Sequence, residues 1–118
     1  MSENVVKDKS FVFALRIVKL YQYLTTEKHE YVLSKQVLRS GTAIGALVRE
    51  AEYGESRADF AHKLAIALKE ANETQYWLEL IYRGGYIDFH GFHSINQDCL
   101  ELLRLLTSII NSTKGSSK

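Results

Sequence analysis

The side chains in this sequence whose types and spacing could do chemistry are few. They are Asp59-x-x-His62, His90-x-x-His93, Cys99, Glu70 and Glu73 beside Trp77, and two pairs of cations, Arg16 with Lys19 and Lys35 with Arg39. A di-metal centre in a helical bundle takes two Glu-x-x-His motifs and two further carboxylates. Asp59-x-x-His62 is a single near match, so no metal is expected. His90 and His93 have a spacing that suits one ion, but Gly91 lies between them and no Cys or carboxylate cluster adjoins in sequence, so both read as solvent-exposed loop histidines. Cys99 falls on an apolar helical face, where a thiol behaves as a small hydrophobe; a nucleophile would need a neighbouring base and an electropositive setting. In LKEANETQYWL, Glu70 and Glu73 with Asn72, Tyr76 and Trp77 form a polar and aromatic patch. No second acidic pair accompanies it for acid and base roles, so its expected work is hydrogen bonding that fixes helix or subunit register. With no nucleophile, base and oxyanion donors converging, neither an enzyme nor a cofactor is expected.

The cations carry a different chemistry. Arg16 and Lys19 are one helical turn apart, as are Lys35 and Arg39, so each pair can project from one face toward phosphates. The chain totals 15 Lys and Arg against 14 Asp and Glu. That near balance conceals an asymmetry: residues 1–49 carry net +4 and the remainder net −3. The basic first half therefore reads in one of two ways, as a face for phosphate or as a seam salt-bridged to the acidic half.

Four helices must position these groups. The first spans about Lys9 to Leu24, with Asp8 or Ser10 as N-cap; Phe11, Leu15 and Val18 form one stripe, and Phe13, Ile17, Leu20 and Tyr21 a second. Two stripes exceed the needs of one bundle face, which points to burial against another subunit. The second helix starts at a Ser34 cap and ends at Gly54 in the left-handed C′ position. Gly41 and Gly45 recur on its apolar face, and each interior Gly costs about 1 kcal/mol relative to Ala, so a close helix crossing is expected to compensate. A phosphate-binding loop would need a strand before these glycines and Lys-Ser or Lys-Thr after them, and neither is there. The third helix starts with the capping sequence Ser56-Arg57-Ala58-Asp59 and stops at Gly84-Gly85. The fourth follows a Ser94-x-x-Gln97 capping box, leaving Tyr86 to His93 as connector. Short connections make neighbours antiparallel, giving an all-α, up-down-up-down four-helix bundle over residues 8–112, with a flexible polar tail at 113–118.

Composition agrees with this fold. A chain of 118 residues without proline meets no obligate helix breaker. A lone Cys cannot form an internal disulfide and fits a reducing cytoplasm. Arg16, Lys19 and Gln22 interrupt the apolar N-terminal stretch, so neither a signal peptide nor a membrane span is expected.

Taken together, Ser40-Gly41-Thr42-Ala43-Ile44-Gly45, Glu50-Ala51, Asp59-Phe60, Ala67-Leu68-Lys69-Glu70-Ala71, Glu73-Thr74 and Trp77-Leu78 fall in one order over some forty positions. In this the chain resembles the four-helix-bundle proteins encoded within intervening sequences of bacterial 23S ribosomal RNA genes. That family is similar in fold to the accessory variability determinant of diversity-generating retroelements. The resemblance covers residues 8–112 and implies an antiparallel bundle assembling as a homopentameric barrel, with no catalytic residues. Where other members often carry Asn after the Ile-Gly pair, this chain has Ala46-Leu47, which bears on the detail of any polar subunit contact there.

The expected function is that of a non-enzymatic oligomer binding RNA or DNA backbone without base readout. Lys9, Arg16, Lys19, Lys35 and Arg39 are the candidate phosphate contacts, and Gly41, Gly45, Glu50, Glu73 and Trp77 the candidate helix-packing or oligomer contacts. The alternative is a protein-binding scaffold or adaptor, for example for a reverse transcriptase or ribonucleoprotein partner.

Overall fold

A computed structural model describes residues 2–116. Four helices follow one another: α1 (Ser2–Thr26), α2 (Leu33–Glu52), α3 (Arg57–Arg83) and α4 (Phe89–Ser116). Ion pairs between them show their directions. Lys9 with Glu101 and Arg16 with Asp98 set α1 antiparallel to α4, while Arg39 with Glu73 and Glu50 with Lys63 do the same for α2 and α3. The elongated bundle, about 50 Å long, closes on a core drawn from every helix, including Phe13 and Ile17, Ile44 and Val48, Leu64 and Leu78, and Leu102 and Leu106.

α1 and α2 approach closely at Gly41. A Cβ on Gly41 would lie 2.8 Å from Ile17 Cγ1, and Ile17 is fully buried with nowhere to retreat. A Cβ on Gly45 would meet the Ser10 carbonyl and hydroxyl at 3.4 Å, an ordinary contact. The expectation that a close crossing compensates the two glycines thus holds most strongly at Gly41. Beside Gly41, the buried Ser40 accepts a hydrogen bond of 2.9 Å from the Thr74 hydroxyl, joining α2 to α3.

The helix boundaries differ from several expectations, each for a local reason. α1 starts at Ser2 rather than near Lys9, because Val6 extends the core face by two turns. Ser10 is accordingly buried inside the helix and donates to the Lys7 carbonyl instead of capping, and Asp8 is exposed in mid-helix. Ser34 also lies inside its helix. The cap of α2 is the Glu30 carboxylate, which accepts from the backbone N–H groups of Val32, Leu33 and Ser34 at 3.0, 2.8 and 2.7 Å. Burial raises the Glu30 pKa, but these backbone donors outweigh it and hold the carboxyl below its ordinary value. Gly54 does not take the left-handed conformation: the described residues with positive φ are His29 and Gly85. Ser56 does cap α3, accepting from the Asp59 N–H at 3.0 Å, and the Gly84-Gly85 stop is as expected, with Gly85 left-handed. α4 starts five residues before the expected box. Asp88 caps it by accepting from the Gly91 N–H at 2.8 Å, so His90 and His93 are exposed on a helix rather than in a connector. At its other end α4 runs on through Ser116, past residue 113; residues 117–118 lie outside the described residues.

The two glycines separate in a test. Gly41→Ala should lower the free energy of unfolding by about 1–2 kcal/mol, overpacking against Ile17 outweighing the gain in helix propensity. Gly45→Ala should be neutral or stabilise by up to about 1 kcal/mol. Urea unfolding followed by circular dichroism measures both, and equal effects of the two would contradict the crossing geometry.

Candidate functional site

Three of the five candidate phosphate contacts are held by carboxylates of the second hairpin. Lys9 Nζ lies 3.2 Å from Glu101. Arg16 reaches Asp98 at 2.7 Å and also donates to the Ser94 hydroxyl at 2.9 Å, which is where the expected capping serine is employed. Arg39 spans Glu70 at 3.2 Å and Glu73 at 2.6 Å. Two further pairs follow a different pattern: Lys63 of α3 meets Glu50 of α2, and Lys7 meets Glu52 within the first hairpin. Lys9, Arg16 and Arg39 thus form a partly exposed seam between the first hairpin and carboxylates of the second.

Lys19 and Lys35 stand apart: neither has an ion-pair partner among the described residues. Lys19 borders a shallow groove between α1 and α4 with Arg16, Tyr23, Ile87 and Gly91. Lys35 is exposed in the first turns of α2, at the same end of the bundle. Lys28, which the sequence reading passed over, lies in the loop between them with its ammonium 6.0 Å from the Tyr23 ring centre. The five candidates thus do not form one patch, since Lys9 and Arg16 line the α4 side of α1 whereas Arg39 faces α3.

The glutamate and tryptophan patch is a network between α2 and α3. Trp77 Nε1–H donates to Glu73 at 2.9 Å, and Arg39 donates to the same carboxylate oxygen. The indole N–H first and the guanidinium second hold the Glu73 carboxyl below its ordinary value, and the two glutamates raise the Arg39 pKa in return. The network is half-exposed, so it joins helices at their surface and is not a buried core of polar groups. Tyr76 packs edge-on against Trp77. Glu50 is exposed on α2 and engaged by Lys63.

Cys99 is fully buried, its Sγ–H directed at the Ala71 carbonyl 3.3 Å away. Burial, followed by the nearby Asp98 charge, pushes the thiol up to about 12, far from the range of a nucleophilic thiolate. Among the described residues no three His, Cys, Asp or Glu side chains come together as a metal-binding group. None of the helices, over the described residues, is long and apolar enough to cross a membrane.

The surface feature that sequence reasoning only half found lies on α1. Phe13, Ile17 and Leu20 pack inward, so Phe11 and Leu15 of the other stripe point to solvent, each 49% exposed. Val5 and Val12, 42% and 55% exposed, belong to the same outer row. Their period matches that of the core face, which is why pattern alone did not separate them. Arg49 lies over the Phe11 ring at 5.2 Å and bounds the row on its α2 side.

The arrangement is one of four helices, with Gly41 and Gly45 on the α2 face toward α1 and a single tryptophan on α3. The model of the 23S rRNA-intervening sequence protein family matches residues 2–108. The chain belongs to that family. Its fold is also that of a crystal structure from Bacteroides thetaiotaomicron VPI-5482, described as a protein with unknown function from the S23 ribosomal protein family. The two are 61% identical, with a TM-score of 0.93, and the match covers 94% of this chain and 99% of the other. No curated protein matches the chain. Neither the family description nor that of the structural neighbour indicates an enzymatic activity.

The Trp77 network can be tested in this family member because the chain has a single Trp. The Glu73 pKa is lowered on folding, so its contribution to stability is complete above the ordinary value of 4.5 and is lost as pH falls through the lower folded value. Trp77 emission should accordingly hold steady down to that pH and change below it. Glu73→Gln should remove the transition and cost less than about 1 kcal/mol, as expected for a half-exposed pair. A midpoint above the ordinary carboxylate value would contradict the network.

Proposed function

We propose that this chain is a non-enzymatic, self-associating scaffold of the cytoplasm, whose working part is its helical surface. The observation that carries the reading is the outer row of α1, where Val5, Phe11, Val12 and Leu15 are exposed together opposite a core face that is already complete. Contiguous exposed apolar side chains on a small protein are characteristic of contact surfaces. Assembly into five copies, the number the family resemblance implies, is one form of this reading.

Native mass spectrometry and light scattering test it. The wild-type chain should run at a multiple of 13.5 kDa. Val12→Asp with Leu15→Asp should return it to the monomer with unchanged helical circular dichroism, because both side chains lie outside the core. A wild-type chain found only as monomer would overturn the proposal.

A second reading, binding of RNA or DNA phosphates, is favoured by the carboxylate-free cations at one end of the bundle. Lys19, Lys28 and Lys35 are available there, whereas Lys9, Arg16 and Arg39 are engaged by carboxylates. Affinity for structured RNA should then fall steeply with salt, and Lys28→Glu with Lys35→Glu should lower the logarithmic salt slope by about 2. Absence of RNA retention at low salt would remove this reading and leave the scaffold standing.

A further inference from the structure

One end of the bundle carries aromatic rings that the core does not use. The antiparallel order brings the C-terminal ends of α1 and α3 together there with the N-terminal ends of α2 and α4 and both hairpin loops, 27–32 and 84–88. Tyr31 and Phe89 lie at this end with more than half of their surface exposed. Neither ring is loose. The Tyr31 hydroxyl shares a hydrogen bond of 3.3 Å with His29 Nδ1, in a loop turned by the left-handed His29. Phe89 stacks on His93 with ring centres 5.4 Å apart and meets Tyr82 edge-on at 6.0 Å, while Tyr82 stacks in turn on Phe92 at 4.7 Å. The result is a ladder of four rings across the ends of α3 and α4, with Phe89 and His93 open to solvent.

The charges at this end favour an anionic ligand. Its carboxylates are mostly occupied by the chain itself: Glu30 and Asp88 cap helices, and Glu79 pairs with Arg83 at 3.1 Å. Lys28 and Lys35 have no carboxylate partner among the described residues, and Glu27 is the exposed acid beside them. Two lysines are few for a ligand held by its phosphates alone, since duplex binders make about 6–10 such contacts. Open rings supply what the lysines lack, because every unpaired base has a π face that can stack on an aromatic side chain. A duplex keeps those faces inside its own stack.

Resting on the reading that this end binds nucleic-acid phosphates, we propose that its ligand is a single strand, held by stacking of unpaired bases on Phe89 and Tyr31 with Lys28 and Lys35 on the phosphates. A base on Phe89 extends the ladder that His93, Tyr82 and Phe92 already form. Those rings, and the His29 bond to Tyr31, hold the stacking surfaces in place before the ligand arrives, so little side-chain freedom is lost on binding. The bundle is 22 by 19 Å in cross-section, room for about four nucleotides, the low end of single-strand site sizes. Little base preference is expected, since stacking tolerates any base. None of the four contact residues belongs to the outer row of α1, so strand binding and self-association do not compete for the same side chains.

Fluorescence anisotropy on the full chain tests this, with a labelled oligouridylate of about 12 nucleotides and a duplex RNA of the same length at matched salt. The single strand should bind at least about tenfold tighter than the duplex. Phe89→Leu with Tyr31→Leu keeps apolar bulk but removes both π faces; it should weaken single-strand binding on the order of tenfold and leave the salt slope unchanged. Phe89→Tyr with Tyr31→Phe keeps the rings and should keep the affinity. Circular dichroism should not change in either variant, because both positions are exposed. Duplex bound as tightly as the single strand, a leucine variant that binds like the wild type, or a ring-keeping variant no better than the leucine one would overturn stacking and leave the phosphate reading standing. Retention of neither probe at low salt would overturn both.

Discussion

The approach of α1 to α2 at Gly41 determines which side of α1 is inside. Ile17 fills the space that a side chain at position 41 would take, and this fixes the rotation of α1 about its own axis. With Ile17 and Phe13 committed to the core, Phe11, Val12 and Leu15 have no choice but to face outward. A larger residue at position 41 would push α1 away and open the core; a different rotation would bury the outer row and expose the inner one. The glycine thus sets both the packing of the bundle and the character of its surface.

Electrostatics then act on a frame that packing has set. Each pair in the seam, such as Lys9 with Glu101 or Arg16 with Asp98, is exposed enough that its individual contribution is below about 1 kcal/mol. Their collective value is in register and in discrimination against wrong docking. A basic hairpin and an acidic one match in the observed antiparallel order and mismatch when one slides past the other. The same distribution limits what is left for outside partners. Most cations that sequence offered as phosphate contacts have carboxylates within reach, so an anionic ligand must compete with an intramolecular one for them. Lys19, Lys28 and Lys35 are under no such competition, and this rather than total charge ranks them.

Much of the architecture was legible because helical periodicity is a long-range signal. The four helices, their antiparallel order, the Ser56 cap, the Gly84-Gly85 stop and the core place of Cys99 all follow from it or from strong local stops. The errors fall where two capping solutions compete. Ser34 and Ser94 are each a plausible cap, but in both cases an acidic residue earlier in the chain, Glu30 or Asp88, reaches the first free N–H groups and moves the start forward. A carboxylate accepting several backbone donors is the stronger cap, and the displaced serines were then free for other bonds, Ser94 to Arg16 and Ser34 to the Glu30 carbonyl. The two stripes of α1 share one period, so only the partner helix could say which of them is core. The cross-hairpin pairs were foreseen as a class from the charge asymmetry; their individual partners depend on helix register, which composition does not contain.

The same constraint explains why the functional reading rests on surface and not on a cleft. The interior of the bundle is closed by apolar side chains such as Ile17, Leu78 and Ala67, and its one thiol is buried and held in the neutral form. Its polar networks are tied between helices, as with Glu73, Arg39 and Trp77, and their geometry is already used in holding α2 to α3. What remains uncommitted is ordered along one helix: an apolar centre flanked by an unmatched acid and an unmatched base. Unmatched charges at the ends of an exposed apolar row are not needed for folding, since solvent would satisfy them equally well at any exposed position.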